Sequence, residues 1–517
     1  QAVLAFLLDH RWKTMGVAIV LFASSFLLAK KLPSELMPAQ DQSMVVLRIK
    51  APVGSALPFT DGKIRQVEQI LQKMPEVDGV FSMVGGFGGD AVNQGIVFLT
   101  LVDPGKRQLT QAQFIQKIRK ELKPKIKGVQ LIAQDLSLRG FAASRGFPVE
   151  FTVQGPDWTE LSDNTTKLMQ ALRDSGIVTD VNTDIQANLP EIKIIPDRAK
   201  LAAHGVSLNA VTSAVNALVG GDIMRGTTEY AKAGHRYEIE LRLVANERDR
   251  SEQLKNIFVR NNRGELTALS KLVTFEEKPA LQLISRLNRF RAITVYANPA
   301  PGHSQNEALK AVQAMGKKIL PPGYYMRMTG SAQSFKESMD SLVAALLFGI
   351  LVSYMVLASQ FNSFIHPVTV LMALPFSFAG AFLGLWIFHQ SINIYSLIGF
   401  ILLMGIVKKN SILLVDFTNQ CRAEGLDVRE ALLKACPVRL RPVLMTSVAT
   451  VAGALPEALS LGPGAETTIP MAVAIIGGVT VSTLLTLFVV PCTYSLLARL
   501  ERPERELEPV LGSPHPA

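Results

Sequence analysis

Two adjacent lysines, Lys408 and Lys409, lie inside the apolar run of residues 401–417, which also holds Asp416. A charged group at membrane depth costs about 3 kcal/mol on insertion scales, so it usually faces a bundle interior and pairs with something. Adjacent helix positions differ by about 100°, so at most one of the two lysines points directly at a given partner. The competing reading has both snorkel to the membrane surface. Asp416 shares the face of Lys409 but lies about 10.5 Å further along the axis, at roughly 1.5 Å per residue. Glu457 and Glu466 sit near the far end of another apolar run. The counter-charge is therefore expected on another polypeptide segment. A lysine facing Asp or Glu in a membrane is the composition of a proton relay, because protonating the acid cancels the pair and frees the lysine. Thr446 and Ser447, about two helical turns beyond Arg439, either hydrogen-bond into the same polar patch or serve as glue between helices.

Outside that run, Gly85, Gly86, Phe87, Gly88 and Gly89 separate two strand-like segments. The plain reading is a hairpin loop; the functional one is a glycine-hinged aromatic that gates a cleft. Gly380 and Gly384 form a GxxxG packing face, and Pro375 and Pro456 can kink their helices. No Ser-His-Asp order, HExxH, Walker loop or catalytically spaced carboxylate pair occurs, and the seven histidines are scattered. The expectation is a protein that is not an enzyme and needs no metal or cofactor. Cys421, Cys436 and Cys492 are the three cysteines, and they offer neither a disulfide framework nor a CxxC site.

These residues must be positioned by long apolar elements. Of 517 residues 48% are hydrophobic and 19% charged, and mean hydropathy is +0.25. Such values exclude a disordered chain and fit a membrane protein carrying one soluble insert. The formal charge of +10 is dispersed and recurs beside apolar segments. It reads as topological signal and solvated surface, with no nucleic-acid partner. A hydrocarbon core about 30 Å thick needs roughly 20 apolar residues of helix. Six runs qualify: residues 15–28 with their flanks, 342–358, 368–388, 394–417, 443–461 and 471–497. Arg11 and Lys13, then Arg422, Arg429, Lys434, Arg439 and Arg441, then Arg499, Arg502 and Arg505 mark the inner side. The opposite loops, 389–391 and 460–468, hold no Lys or Arg, which puts both ends inside. Lys30 and Lys31 lie outside against the rule, beside a long translocated domain where it is weak. Trp12 and Trp386 fall at opposite span ends, as an aromatic belt places them. The chain opens at Gln1 almost directly into an apolar span, and reads as a piece of something longer.

Residues of about 33–336 are then expected outside, in the periplasm of a bacterial host. Strand-like segments at 44–49, 79–83, 95–101 and 129–133 alternate with helical ones at 62–73 and 111–122. That β-α-β-β-α-β order is the split βαβ, or ferredoxin-like, unit. A second unit starts at 149–154, continues through the helix 158–174, and is expected to pair 178–183 with 191–195. It breaks off near Gly220 and Gly221 into a β-rich stretch to about Phe275 and resumes at 291–296. A helix over 304–318 and a strand over 325–329 complete it. Two such subdomains side by side create a cleft suited to ligands.

At these residues the chain resembles the resistance-nodulation-division superfamily, specifically the C-terminal half of a hydrophobe/amphiphile efflux pump. The resemblance runs nearly end to end. It is carried by LMPAQDQ at 36–42, the Gly-Phe-Gly loop at Phe87, PAPGHS at 299–304, LASQFNS at 357–363, KNSIL at 409–413 and RLRPVLMT at 439–446, in the family's order. It implies a proton-driven antiporter whose seventh to twelfth spans are present here, with two porter subdomains and a docking subdomain in the insert. The implied division is a first span at 1–32, porter subdomains at 33–140 and at 141–220 with 286–336, a docking subdomain at 221–285, five spans at 337–500 and a tail at 501–517.

The family's relay lysine falls on Lys409, its arginine on Arg439 and its threonine on Thr446; its paired aspartates belong to the absent half. Lys408, where relatives more often carry a small residue, is a departure that leaves the choice of relay lysine open. The aromatic-rich drug region falls on Phe81, Met83, Phe87 and Phe98 in the first subdomain and on Phe147, Val149 and Phe151 in the second. The gate loop is about one residue shorter, with one Phe rather than two. Implied partners are the N-terminal half, two further protomers in a homotrimer, a periplasmic adaptor, an outer-membrane channel and hydrophobic small molecules. Two other readings remain: a metal exporter, for which Met83 and Met224 are candidates, and a non-transporting membrane sensor or assembly factor.

Overall fold

The computed structural model describes residues 2–85, 91–135, 146–185, 189–223, 229–248, 250–280, 284–459 and 464–498. Gly86, Phe87, Gly88 and Gly89 of the glycine loop, Met224 and the tail lie outside the described residues. Contacts divide the chain into two compact units, residues 1–184 with 285–517, and residues 185–284.

In the first unit a short helix, α1 (Ala2–Asp9), leads into α2 (Arg11–Lys31). Then follow β1 (Met44–Lys50), α3 (Leu57–Leu71), β2 (Val77–Gly85), β3 (Ala91–Leu101), α4 (Gln111–Lys125) and β4 (Gln130–Asp135). Their sheet has the order β2-β3-β1-β4, with every neighbour antiparallel. Alternation along β1 sends Val45, Leu47 and Ile49 into a core shared with Ile64, Val67 and Leu71 of α3 and Phe114 and Ile118 of α4. α3 starts at Leu57, ahead of the helix read from the sequence, because Pro58 fits its first turn, where no N–H is needed. Thr110 and Gln113 form a capping box at the start of α4.

The next elements are β5 (Val149–Gly155), α5 (Trp158–Asp174) and β6 (Val178–Thr183). The chain then leaves for the second unit. There β7 (Leu189–Pro196), α6 (Arg198–Ala203), α7 (Leu208–Val215) and the short strands β8 (Asp222–Ile223), β9 (Glu229–Lys232), β10 (His235–Glu238), β11 (Glu240–Leu241), β12 (Phe258–Arg260) and β13 (Leu266–Ala268) precede β14 (Val273–Ala280). β7 pairs with β14 in unbroken register from Leu189↔Ala280 to Pro196↔Val273, so the two ends of this unit meet. Its boundary accordingly falls ahead of the break read at Gly220, and β7, α6 and α7 belong to it. Leu201, Val206, Val211, Leu254, Val259 and Leu269 form its core.

The return segment, β15 (Arg286–Leu287), β16 (Phe290–Pro299), α8 (Gln305–Ile319) and β17 (Tyr325–Met328), completes the second sheet of the first unit. Its order is β15-β16-β5-β17, and β6 also pairs with β16. The expected pairing of 178–183 with 191–195 is therefore corrected. β6 bonds to β16, more than a hundred residues on, because β7 is taken up by β14.

Six membrane-length stretches follow the hydropathy. Beside α2 they are α9 (Gly330–Phe361), the broken pair α10 (His366–Leu371) and α11 (Ala373–Ile387), α12 (Ile394–Ala423), α13 (Val428–Ala458) and α14 (Thr468–Leu497). The break at Met372 lies just before Pro375, whose missing N–H interrupts the helical ladder. α11, α12 and α14 form the centre and bury about half of their apolar stretches, whereas α2, α9 and α13 bury far less. Glycines decide that centre. A Cβ on Gly380 would stand 2.5 Å from the Gly477 carbonyl oxygen, and one on Gly477 would stand 2.6 Å from that of Gly380. Backbone meets backbone there, as the GxxxG reading requires. Gly380→Ala and Gly477→Ala are each expected to cost about 1–3 kcal/mol by overpacking. Gly405→Ala on α12, with open space around it, is expected to cost nothing. Thermal unfolding in detergent reads the contrast.

Candidate functional site

α12 is started by a capping box between Asn393 and Ser396 and carries both lysines at mid-length. They do different things. Lys408 is half-buried and its ammonium donates to the Ser353 hydroxyl of α9. Lys409, about 100° further round the helix, is exposed and has no ionic or hydrogen-bond partner among the described residues. Asp416 is held by Gln420, whose Nε2 donates to it at 2.9 Å, so it does not serve Lys409. Arg439 of α13 lays its guanidinium over the Phe417 ring, 4.5 Å from the centroid, and its Nε is buried without a partner.

A polar chain crosses the bundle beside these cations. The Thr446 hydroxyl lies 3.4 Å from Asn410 Oδ1 and 3.1 Å from the Val443 carbonyl. Asn410 Nδ2 donates to Ser447 Oγ at 3.3 Å, and Ser447 Oγ lies 2.8 Å from Thr483 Oγ1 on α14. Of the residues read from the sequence, Thr446 and Ser447 join this network. Asn410 and Thr483 were not singled out. Their signal was present as the residue after Lys409 and as the series Ser482, Thr483, Thr486, Thr493 in an otherwise apolar helix.

The aromatic region divides in two. Phe81 of β2 and Phe98 of β3 are cross-strand partners with centroids 6.1 Å apart, and Phe81 is 63% exposed. Met83, two residues on, shares that face and is half-buried opposite Ile96. Gly85 ends β2 with φ +87°, a conformation that favours glycine. Phe147, Val149 and Phe151, by contrast, are fully buried. β5 is an inner strand between β16 and β17, and Phe147 packs between Ile132 and Tyr296, its ring 4.7 Å from that of Tyr296. In this conformation these three side chains are core and present no surface to a ligand.

Around them the two sheets of the first unit are joined by polar bonds. Arg119 pairs with Asp180 at 2.5 Å, Asn298 Nδ2 donates to Asp180 at 3.2 Å, Asn182 Nδ2 to Gln130 at 3.1 Å, and Lys50 Nζ to the Thr183 carbonyl at 3.2 Å. A cavity of about 220 Å³ is lined by Glu35, Met37, Asp135, Pro148, Asn298 and His303, among others. Burial holds the Glu35 carboxyl above the usual value near 4.5, and a hydrogen bond with Ser391 acts in the opposite direction.

Residues 1–498 match the AcrB/AcrD/AcrF family. The chain belongs to that family, within the resistance-nodulation-division superfamily. It is 31% identical over 501 residues to the multidrug resistance protein MdtC of Escherichia coli O81 (strain ED1a), covering 96% of this chain and 48% of that protein. The MdtC of Escherichia coli O1:K1 / APEC is likewise 31% identical over 502 residues, with the same coverage. A crystal structure of a heavy metal efflux pump superposes with a TM-score of 0.84 at 23% identity, over 95% of this chain and 51% of that one. The chain thus has the fold of an RND pump, with six apolar membrane-length helices and sheet-containing domains, and spans about half the length of the relatives it matches.

Two outcomes test the local chemistry. Asn410→Leu removes the bonds to Thr446 and Ser447 and is expected to cost roughly 1 kcal/mol for each, read by thermal unfolding. Because the pKa of Glu35 is raised in the folded protein, the folded state binds that proton more tightly than the unfolded chain does. Its contribution is favourable below pH 4.5 and is lost as pH rises through the raised value. Glu35→Gln is therefore expected to raise the melting temperature at pH 7.5, with the gain shrinking as pH falls toward 4.5.

Proposed function

We propose that this chain is the C-terminal half of a proton-driven antiporter that exports hydrophobic or amphiphilic compounds. One observation carries the reading: Lys409 sits at mid-length in a membrane-length helix, exposed and without a counter-charge among the described residues, in a chain half as long as its relatives. A bare ammonium in hydrocarbon is untenable, so an acidic partner from the other half completes it. Protonation of that acid releases the lysine, and the helices it holds shift. Arg439 and the Thr446–Asn410–Ser447–Thr483 chain lie alongside as the polar remainder of the relay.

In this reading the helices cross a bacterial inner membrane and residues 33–336 stand in the periplasm. The β-α-β-β-α-β sheet of β1 to β4 is a split-βαβ porter subdomain, and β5, β6, β16 and β17 with α5 and α8 form the second. The unit of residues 185–284 carries the docking subdomain. Phe81, Met83 and Phe98, with the glycine loop that carries Phe87, form the substrate wall of the first subdomain. Phe147, Val149 and Phe151 line the second only when the cleft opens. The machine is a homotrimer that meets a periplasmic adaptor and an outer-membrane channel. It has no catalytic centre and no cofactor, and the proton gradient supplies the free energy.

The test is drug susceptibility of a pump-deficient strain expressing this chain with a matching N-terminal half. The wild type is expected to raise the inhibitory concentration of amphiphilic dyes several-fold. Lys409→Ala should return it to the vector level, while Asp416→Asn, whose carboxylate serves only Gln420, should protect like wild type. Protection against metal salts in place of dyes favours the metal exporter. No protection by an assembled complex favours the sensor.

A further inference from the structure

Residues 33–41, between α2 and β1, are bonded on one side to membrane turns and on the other to both sheets of the first unit. We infer that this segment is the strut carrying motion from the membrane helices to the subdomains, and that Gln305 is the positioning residue that pins it. The inference rests on the transport reading above.

On the membrane side, three backbone bonds tie the segment to the turn between α11 and α12. Ile392 N–H donates to the Pro33 carbonyl at 2.8 Å, Glu35 N–H to Ile392 at 3.1 Å, and Ile394 N–H to Leu36 at 3.3 Å. Further along, Asp41 N–H donates to Glu466 Oε1, just ahead of α14, at 3.3 Å. On the other side, Gln305 at the start of α8 uses both ends of its amide. Its Oε1 accepts from Leu36 N–H at 2.7 Å and its Nε2 donates to the Pro148 carbonyl at 2.8 Å, next to the start of β5. Asn306 N–H adds a bond to Ser34 at 3.1 Å. The first sheet is reached through Asp41, whose carboxylate takes Arg107 and the Gln111 N–H that opens α4.

Stiffness and burial make this path mechanical rather than slack. Pro33 and Pro38 fix two of the nine φ angles. Leu36 and Met37 are 1% and 5% exposed and Gln305 is 4% exposed, so water cannot substitute for the lost bonds. α12 carries the lysines and α14 carries Thr483, so two of the three helices of the relay begin where the strut is anchored.

The experiment uses the pump reassembled from this chain and a matching N-terminal half in proteoliposomes, with dye export and proton flux measured together. Gln305→Leu is expected to lower dye export at least tenfold while proton flux persists within twofold. Lys409→Ala should abolish both fluxes. Equal loss of both in Gln305→Leu, or no loss, overturns the strut while leaving the transport reading intact. Glu466→Ala, which removes the second membrane anchor, must show the same split. If Gln305→Leu fails to assemble, Glu466→Ala decides alone, with proportional or absent losses overturning the inference. A wild-type complex that moves no dye overturns the transport reading and the strut with it.

Discussion

A charged ammonium inside a membrane-length helix demands a counter-charge, and among the described residues Lys409 has none. That demand organises the rest of the bundle. The flank of α12 that bears Lys409 is left exposed, and α9 and α13 lie on the same loosely covered margins, while the opposite flank is sealed. On the buried side of α12, Gly399 lies against the Met471 backbone and Leu403 against Gly478, and Gly380 and Gly384 of α11 meet Gly477 of α14 backbone to backbone. One side of the bundle is thus closely packed, and the Lys409 side is open. Lys408 fits the same division. Its partner is the hydroxyl of Ser353 on α9, a neutral group within this chain that satisfies a hydrogen bond but supplies no counter-charge.

What the sequence could reveal followed the range of the interaction involved. Runs of about 20 apolar residues are a local signal, and all six spans are found where hydropathy puts them. Helix starts marked by Ser304, Asn393 and Asp427 are equally local. Strand partners are not. β6 reaches across the whole second unit to β16, and nothing within residues 178–195 distinguishes that arrangement from a hairpin with β7. The site showed the same split. Lys409 stood out because charge in an apolar run is rare, whereas Asn410 became significant only once α12 brought it against Thr446 and Ser447. Apolar residues carry the least information of all. Phe81 and Phe147 are the same side chain, yet one is exposed and the other has no accessible surface.

That difference bears on how the subdomains work. The contact between the two sheets is built from Arg119, Asp180, Asn182, Gln130 and Lys50 around a small apolar cluster of Ile132, Phe147 and Tyr296. Polar groups of this kind exchange protein partners for water at small net cost, whereas a wide apolar seam would resist opening. Asp180 adds a bias, because its φ of +56° is a conformation that non-glycine residues adopt sparingly and that its bonds to Arg119 and Asn298 hold in place. An interface of this composition suits the cleft of the proposed transport cycle, which would bury Phe147 when closed.

A cleft that opens must be told when to do so, and the connectivity limits how. Chain connections between the membrane helices and the sheets are few: the segment after α2, and β17 running into α9. The second is a single continuous helix that leaves its sheet through an edge strand, so its motion moves one sheet only. The first touches both sheets at once, through Gln305 on one and Arg107 and Gln111 on the other, and is anchored at the turns that begin α12 and α14. Relative motion of two bodies requires something that holds both and is itself displaced. Of the two connections, only residues 33–41 meet that condition, so under the proposed transport cycle a shift of α12 would reach both sheets through them.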